Sequence, residues 1–166
     1  MRVGFTASAF DLLHAGHLLM LRECKTYCDY LICGLQVDPT IDRPEKNKPI
    51  QSLTERHIQL SGVKYVDEII PYSTEAELED LLIHLPINVR FVGDEYRGKK
   101  FTGSDDSHYK FIYNRRQHNF SSSELRQRIY KAQEKDHQLL TEYKVSDDYL
   151  ESKGMDWSIY SDEVGC

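Results

Sequence analysis

A chain of 166 residues with 40% hydrophobic and 29% charged side chains has room for one packed domain and an appended segment, and is too polar for a membrane protein or a low-complexity tract. Its 21 Lys plus Arg stand against 27 Asp plus Glu, a formal charge of −6, which excludes the broad basic face of a nucleic-acid binder but not a small basic pocket. No leader pattern and no apolar span of about 18 residues is present, so a cytoplasmic location without membrane insertion is expected.

Arg2 to Ala7 is a short apolar run bounded by Ser8 and Asp11, and predicts a buried first strand ending near Ala7. Leu18, Leu19, Leu21, Arg22 and Lys25 follow with helical spacing, so a helix should start at Ala15 or Gly16. Tyr30 to Val37 is continuous enough to be buried on both faces, as in a parallel sheet. From Pro39 to Ser52 three prolines (Pro39, Pro44, Pro49) surround Lys46 and Lys48, which is loop composition, and long loops in compact domains are usually functional.

Ser52 or Thr54 can cap a helix running to Gly62, and a third strand fits Val66 to Ile70. Ser73 or Thr74 can cap a helix reaching Leu85. Asn88 to Gly93 and Tyr109 to Tyr113 supply the fourth and fifth strands, and a helix capped by Ser121 or Ser122 continues past Ile129. This alternation predicts an α/β fold, a doubly wound parallel sheet of five strands with helices on both faces. Residues 1–130 are assigned to that domain and 131–166 to an acidic C-terminal extension, helical or mobile, which holds four Lys or Arg against nine Asp or Glu. Cys24, Cys28, Cys33 and Cys166 form no Cys-x-x-Cys pair and are expected to be reduced, acting as small hydrophobes.

His14-Ala15-Gly16-His17 lies where the first strand passes to the first helix, the ligand edge of a parallel sheet. Two histidines three apart project on one side of the helix start, Gly16 lets a phosphate approach the backbone, and the helix end adds N–H donors and positive potential. Without a third ligand such a pair is a poor zinc set, so no protein metal site is expected. Phe120-Ser121-Ser122-Ser123-Glu124-Leu125-Arg126 offers hydroxyls at a second helix start, with Arg126 one turn along and Arg115 and Arg116 just before the run.

Ala9-Phe10-Asp11-Leu12-Leu13-His14-Ala15-Gly16-His17 resembles the first signature of the nucleotidyltransferase superfamily that contains the cytidylyltransferases, Gly-Thr-Phe-Asp-x-x-His-x-Gly-His. The serine run is similar to its second signature, Ile-Ser-Ser-Thr-x-x-Arg. Leu53-Thr54-Glu55-Arg56 and Lys64 to Pro71 resemble the linking segments of the glycerol-3-phosphate cytidylyltransferases, so the resemblance covers roughly residues 1 to 130.

The resemblance implies a Rossmann-like nucleotidyltransferase fold and the reaction of an alcohol phosphate, glycerol-3-phosphate first, with the α-phosphate of CTP. His14, His17, Lys48 and Arg126 are then the catalytic candidates. The nucleotide would also meet Ala9, Phe10, Asp11, Gly16, Gly93, Asp94, Arg116, Ser121, Ser122 and Ser123, while Lys46 would hold the acceptor phosphate. Mg2+ is implied, carried mainly by triphosphate oxygens and water, with Asp11 contacting it through water. A homodimer is implied through the segment near Lys64 to Asp67.

Ser8-Ala9 replaces the family's Gly-Thr, and His118 and Asn119 replace its Glu and Gly before the second signature. Glu75 to Asp80 is acidic where the glycerol-phosphate enzymes carry a substrate lysine, which leaves the acceptor open. Two other functions stay in view: adenylyl transfer to a sugar phosphate, which the same signatures serve, and a nucleotide-binding regulatory protein without turnover.

Overall fold

The computed structural model describes residues 1–115 and 118–142, with 136–142 through their main chain only. Five strands, β1 (Val3–Ser8), β2 (Tyr30–Gln36), β3 (Glu68–Tyr72), β4 (Val89–Gly93) and β5 (Lys110–Asn114), alternate with helices α1 (Ala15–Lys25), α2 (Leu53–Ser61), α3 (Glu75–His84) and α4 (Ser122–Glu142). A single 3-10 turn, Asp94–Tyr96, follows β4. All strand pairs are parallel and the sheet order is β3-β2-β1-β4-β5. The chain winds outward through β2 and β3, then crosses back to β4 on the other side of β1. A crevice for a ligand opens at the carboxyl ends of the strands at that reversal.

The period of two along β2 divides the core. Leu31, Cys33 and Leu35 join Leu21 and Cys24 of α1 and Leu60 of α2 on one face, while Ile32 joins Phe5 of β1 and Leu78 and Leu82 of α3 on the other. Each fully buried aliphatic or aromatic side chain contributes roughly 1.5–3 kcal/mol of transfer free energy. Cys24, Cys28 and Cys33 are buried and unpaired, and burial pushes the Cys24 and Cys33 thiols well above their ordinary range.

The starts of α2 and α3 are written in side-chain oxygens. Ser52 accepts the N–H of Glu55, whose carboxylate answers the Ser52 N–H in a full capping box, and Thr74 accepts the N–H of Glu77. The third strand begins two residues later than expected. The Asp67 carboxylate accepts the Leu31 N–H at 2.7 Å and pairs with Lys25, so regular pairing starts at Glu68 opposite Ile32. Pro71, which has no N–H to donate, is tolerated because β3 is the edge of the sheet.

Residues 1–125 form one compact unit, and the described residues from 126 onward belong to α4. α4 runs unbroken from 122 to 142, so the expected boundary at residue 130 falls inside it. Arg116, Cys166 and the acidic run from 147 onward lie outside the described residues. Among the described residues no helix is long and apolar enough to cross a membrane.

Candidate active site

A cleft of about 970 Å³ opens at the sheet reversal. Its middle is formed by Ser8 and Ala9 at the end of β1, His14, Gly16 and His17 at the start of α1, and Gly93 and Glu95 after β4. One end is closed by Asn114, Arg115, His118, Phe120, Ser121 and Ser122, and the other by Gln36, Arg43, Lys46, Tyr72 and Glu75. Of the residues singled out in the sequence, the cleft gathers Ala9, His14, Gly16, His17, Lys46, Gly93, Ser121 and Ser122.

His14 and His17 form a capping box built from imidazoles. His14 Nδ1 accepts the N–H of Gly16 at 3.0 Å, and His17 Nδ1 accepts the N–H of His14 at 3.4 Å. The rings stack 4.0 Å apart at 27°. With both Nδ1 atoms accepting, the hydrogen-bond pattern assigns the proton of each neutral ring to Nε2, so both histidines are donors there. Beneath them, the ring of Phe10 lies 5.5 Å from that of His17. Gly16 has no room for a side chain, because a Cβ would sit 2.8 Å from His118 Cε1 and 2.9 Å from His14 Cε1.

The loop between β1 and α1 is strained and clamped. Phe10 and Leu12 adopt φ of 48° and 50°, left-handed conformations that cost non-glycine residues roughly 1–2 kcal/mol each. Burial of Phe10 and three hydrogen bonds into the Asp11 carboxylate, from Ile50 N–H (3.0 and 3.1 Å) and Gln51 N–H (3.0 Å), offset this. Phe10 and Asp11 thus shape the cleft from behind instead of lining it. Among the described residues no group of three or more His, Cys, Asp or Glu is gathered to hold a metal ion.

At the second helix start, Ser121 is the N-cap, its Oγ accepting the Glu124 N–H at 3.0 Å. Ser122 Oγ donates to the Asp11 carbonyl at 2.9 Å. The His118 ring stacks on Phe120 at 5.2 Å, and its Nδ1 is buried without a hydrogen-bond partner. Ser123 is outside the cleft lining, and Arg126 stands one turn beyond Ser122 on α4. Asp94 is also outside it, held by Arg97 through Nε (3.0 Å) and Nη2 (2.9 Å). Lys48 is exposed, its ammonium 3.8 Å from Asp38, whose carboxylate is kept below its usual range by the hydroxyl and N–H of Thr40.

Three cleft residues, Gln36, Arg43 and Arg90, were not picked out by sequence, and a fourth, Glu75, was noted only as acidic. Arg43, Gln36 and Glu75 form a hydrogen-bonded cluster, with Arg43 Nη2 3.0 Å from Glu75 and 3.1 Å from Gln36. Arg90, buried on β4, lies over the rings of Phe101, Tyr109 and Phe111 and donates to the Thr102 carbonyl. Behind the cleft, buried Arg56 donates to four carbonyls: Ala9 (2.8 Å), Gln36 (2.7 Å), Val37 (2.7 Å) and Gln51 (3.1 Å). Burial lowers its pKa from the ordinary guanidinium value, and the charges of Asp11 and Asp38 oppose that shift.

Comparison with known proteins bears on the family and the fold. The chain is 34% identical over 106 residues to the bifunctional protein HldE of Granulibacter bethesdensis and 36% identical over 105 residues to that of Wolinella succinogenes. Each match covers 63% of this chain and 22% of the relative, so the chain spans about a fifth of the length of these curated relatives. The lipopolysaccharide core biosynthesis protein from Thermoplasma volcanium superposes with a TM-score of 0.51 at 23% identity, over 80% of this chain and 88% of that one. Pantothenate synthetase from Thermus thermophilus gives 0.51 at 13% identity, over 69% and 55%. At such identities these two structures show a shared fold. The family model described as cytidylyltransferase-like matches residues 5–128, which take in all but the first two residues of β1, the other four strands and both helix starts of the cleft, and the chain belongs to that family.

Proposed function

We propose that the chain transfers a cytidylyl group from CTP to a small phosphorylated alcohol, glycerol-3-phosphate first, releasing pyrophosphate. The observation that carries this reading is the bond from Ser122 to Asp11, which brings the serine-led helix start against the histidine-led one inside a single cleft whose far end holds Arg43 and Lys46. An acceptor phosphate oxygen attacks the α-phosphorus. A new P–O bond forms there, the α–β bridge breaks, and its electron pair leaves on the β-phosphate oxygen. The acceptor is already an anion, so no protein base is needed, and the protein's work is positioning and charge stabilisation.

In this reading His14 and His17 donate through Nε2 to triphosphate oxygens and to charge developing on the leaving group. Each such donor is worth roughly 3 kcal/mol of barrier. Ser121, Ser122 and the N–H groups at the start of α4 cradle phosphate oxygens, and Lys46 receives the acceptor. Lys48, Arg116, Ser123 and Arg126 are assigned to the nucleotide by their motif positions alone. Mg2+, when bound with the triphosphate, supplies charge neutralisation. Since the Asp11 carboxylate is occupied by Ile50 and Gln51, Glu95 on the cleft wall is the better placed carboxylate for the ion's water shell.

A second reading is adenylyl transfer to a sugar phosphate, which the same two signatures serve; the relatives at 34–36% identity carry the name bifunctional protein HldE and not that of a glycerol-phosphate enzyme. Pyrophosphate release measured with each nucleoside triphosphate against a panel of phosphorylated alcohols and sugar phosphates separates them. CTP with glycerol-3-phosphate should be the preferred pair. Preference for ATP selects the second reading, and nucleotide binding without pyrophosphate from any pair leaves a regulatory binding protein.

A further inference from the structure

The acidic start of α3 poses a problem for any phosphorylated acceptor. Like charges held close together near a protein surface repel one another, and Glu75 lines the end of the cleft that carries Lys46. Yet Glu75 is fully engaged. Its Oε1 accepts from Arg43 Nη2 at 3.0 Å and from Gln36 Nε2 at 3.4 Å, its Oε2 accepts the Thr102 hydroxyl, and its own N–H donates to Asp42 Oδ2 at 2.6 Å. The loop after β2 is therefore fastened to the first turn of α3 at two points. Within that loop the Arg43 N–H donates to Pro39 (3.1 Å) and the Lys46 N–H to Arg43 (2.9 Å), turns that bring both cations to the cleft.

Arg43 is only half satisfied by these partners. Nη2 is anchored, whereas Nε is buried without a hydrogen-bond partner, and Nη1 has none among the described residues. Unpaired guanidinium donors at the edge of a cleft are costly unless something accepts from them, and a phosphate does so with matching geometry. Resting on the proposed transfer to a phosphorylated alcohol, we infer that Arg43, oriented by Glu75, is the principal cation for the acceptor's phosphate. The acidic helix start then anchors that cation instead of repelling the substrate, and the cation itself comes from the loop after β2.

The test is calorimetric binding of glycerol-3-phosphate to the full chain, with the nucleotide site saturated by a CTP analogue whose α–β bridge is a methylene. Wild type should bind glycerol-3-phosphate and not glycerol. Arg43→Ala should weaken glycerol-3-phosphate at least tenfold while leaving the analogue's affinity within about twofold, and Glu75→Gln should weaken it less. Arg43→Ala combined with Glu75→Lys, which returns a cation to the start of α3, should recover part of the loss. If Arg43→Ala does not fold by circular dichroism, Arg43→Lys replaces it, with an expected loss of a few fold. No binding by wild type, affinity for glycerol-3-phosphate unchanged in the Arg43 variant, or an equal loss for the analogue would overturn the inference. Binding as expected without pyrophosphate release from hydrolysable CTP would uphold Arg43 and refute the transfer reaction beneath it.

Discussion

The hydroxyl of Ser122 donates to the main-chain carbonyl of Asp11 at 2.9 Å, joining segments 111 positions apart. Because the Asp11 carboxylate also holds the N–H groups of Ile50 and Gln51, one residue ties the α4 start and the β1–α1 loop to the end of the lysine loop. Ser122→Ala should cost about 1 kcal/mol in urea unfolding and raise the CTP KM several fold with an unchanged circular dichroism spectrum. Lost stability with an unaltered KM would make the bond structural only.

Gly16→Ala separates packing from propensity. Alanine is the better helix former by roughly 1 kcal/mol, so an inert position would gain stability. Here the added Cβ meets His118 and His14 at under 3 Å. Turnover should fall at least tenfold as the rings are displaced, while the melting temperature moves by only a few degrees. A stabilised, fully active variant would show that the ring positions do not matter.

Much of this was legible in the chain because its signals are local. The unbroken apolar run at Tyr30 announces a strand buried on both faces, and Ser52, Thr74 and Ser121 stand where the helices begin. The histidine pair and the serine run could be placed at helix starts for the same reason, since helix geometry alone fixes their neighbours, and both starts line the cleft. What stayed hidden depends on residues distant in sequence. Arg56 looks like a solvated helix charge until the fold converges four carbonyls on it, and Asp11 looks like a ligand until Ile50 and Gln51 reach its oxygens. Glu75 counted only as an acidic departure from the family pattern, because nothing local reveals Arg43 beside it.

Arg56 is expected to be the costliest of these side chains to lose. Arg56→Met keeps most of the volume but strands the carbonyls of Ala9, Gln36, Val37 and Gln51. Breaking a buried charged network of this kind costs roughly 3–5 kcal/mol, which urea titration would register as a clear fall in midpoint. Arg56→Lys, with one nitrogen for four acceptors, should recover little of it. A change under about 1 kcal/mol would mean the carbonyls find other partners.

Acid should weaken the fold through Asp67. Burial pulls its pKa up, but the Lys25 ammonium and the Leu31 N–H pull harder, so the carboxyl titrates below its usual range. A depressed native pKa means the unfolded chain binds the proton first. The contribution is complete above the ordinary carboxylate pKa of about 4 and is lost as pH falls through the lower native value. Asp38, Glu55 and Asp106 are shifted in the same direction. Melting temperature should be flat from about pH 7 to 5 and drop below about 4, and Asp67→Asn should lower it at pH 7 and make the acid decline shallower. An identical acid decline in the variant would remove Asp67 from the explanation.

The most direct measurement is the fate of the α-phosphorus. CTP labelled at that atom, incubated with the full chain, Mg2+ and glycerol-3-phosphate, should pass its label into a CDP-alcohol while unlabelled pyrophosphate appears in equal amount. Label remaining in CTP or CDP while the γ-phosphate moves to acceptor or water would contradict nucleotidyl transfer.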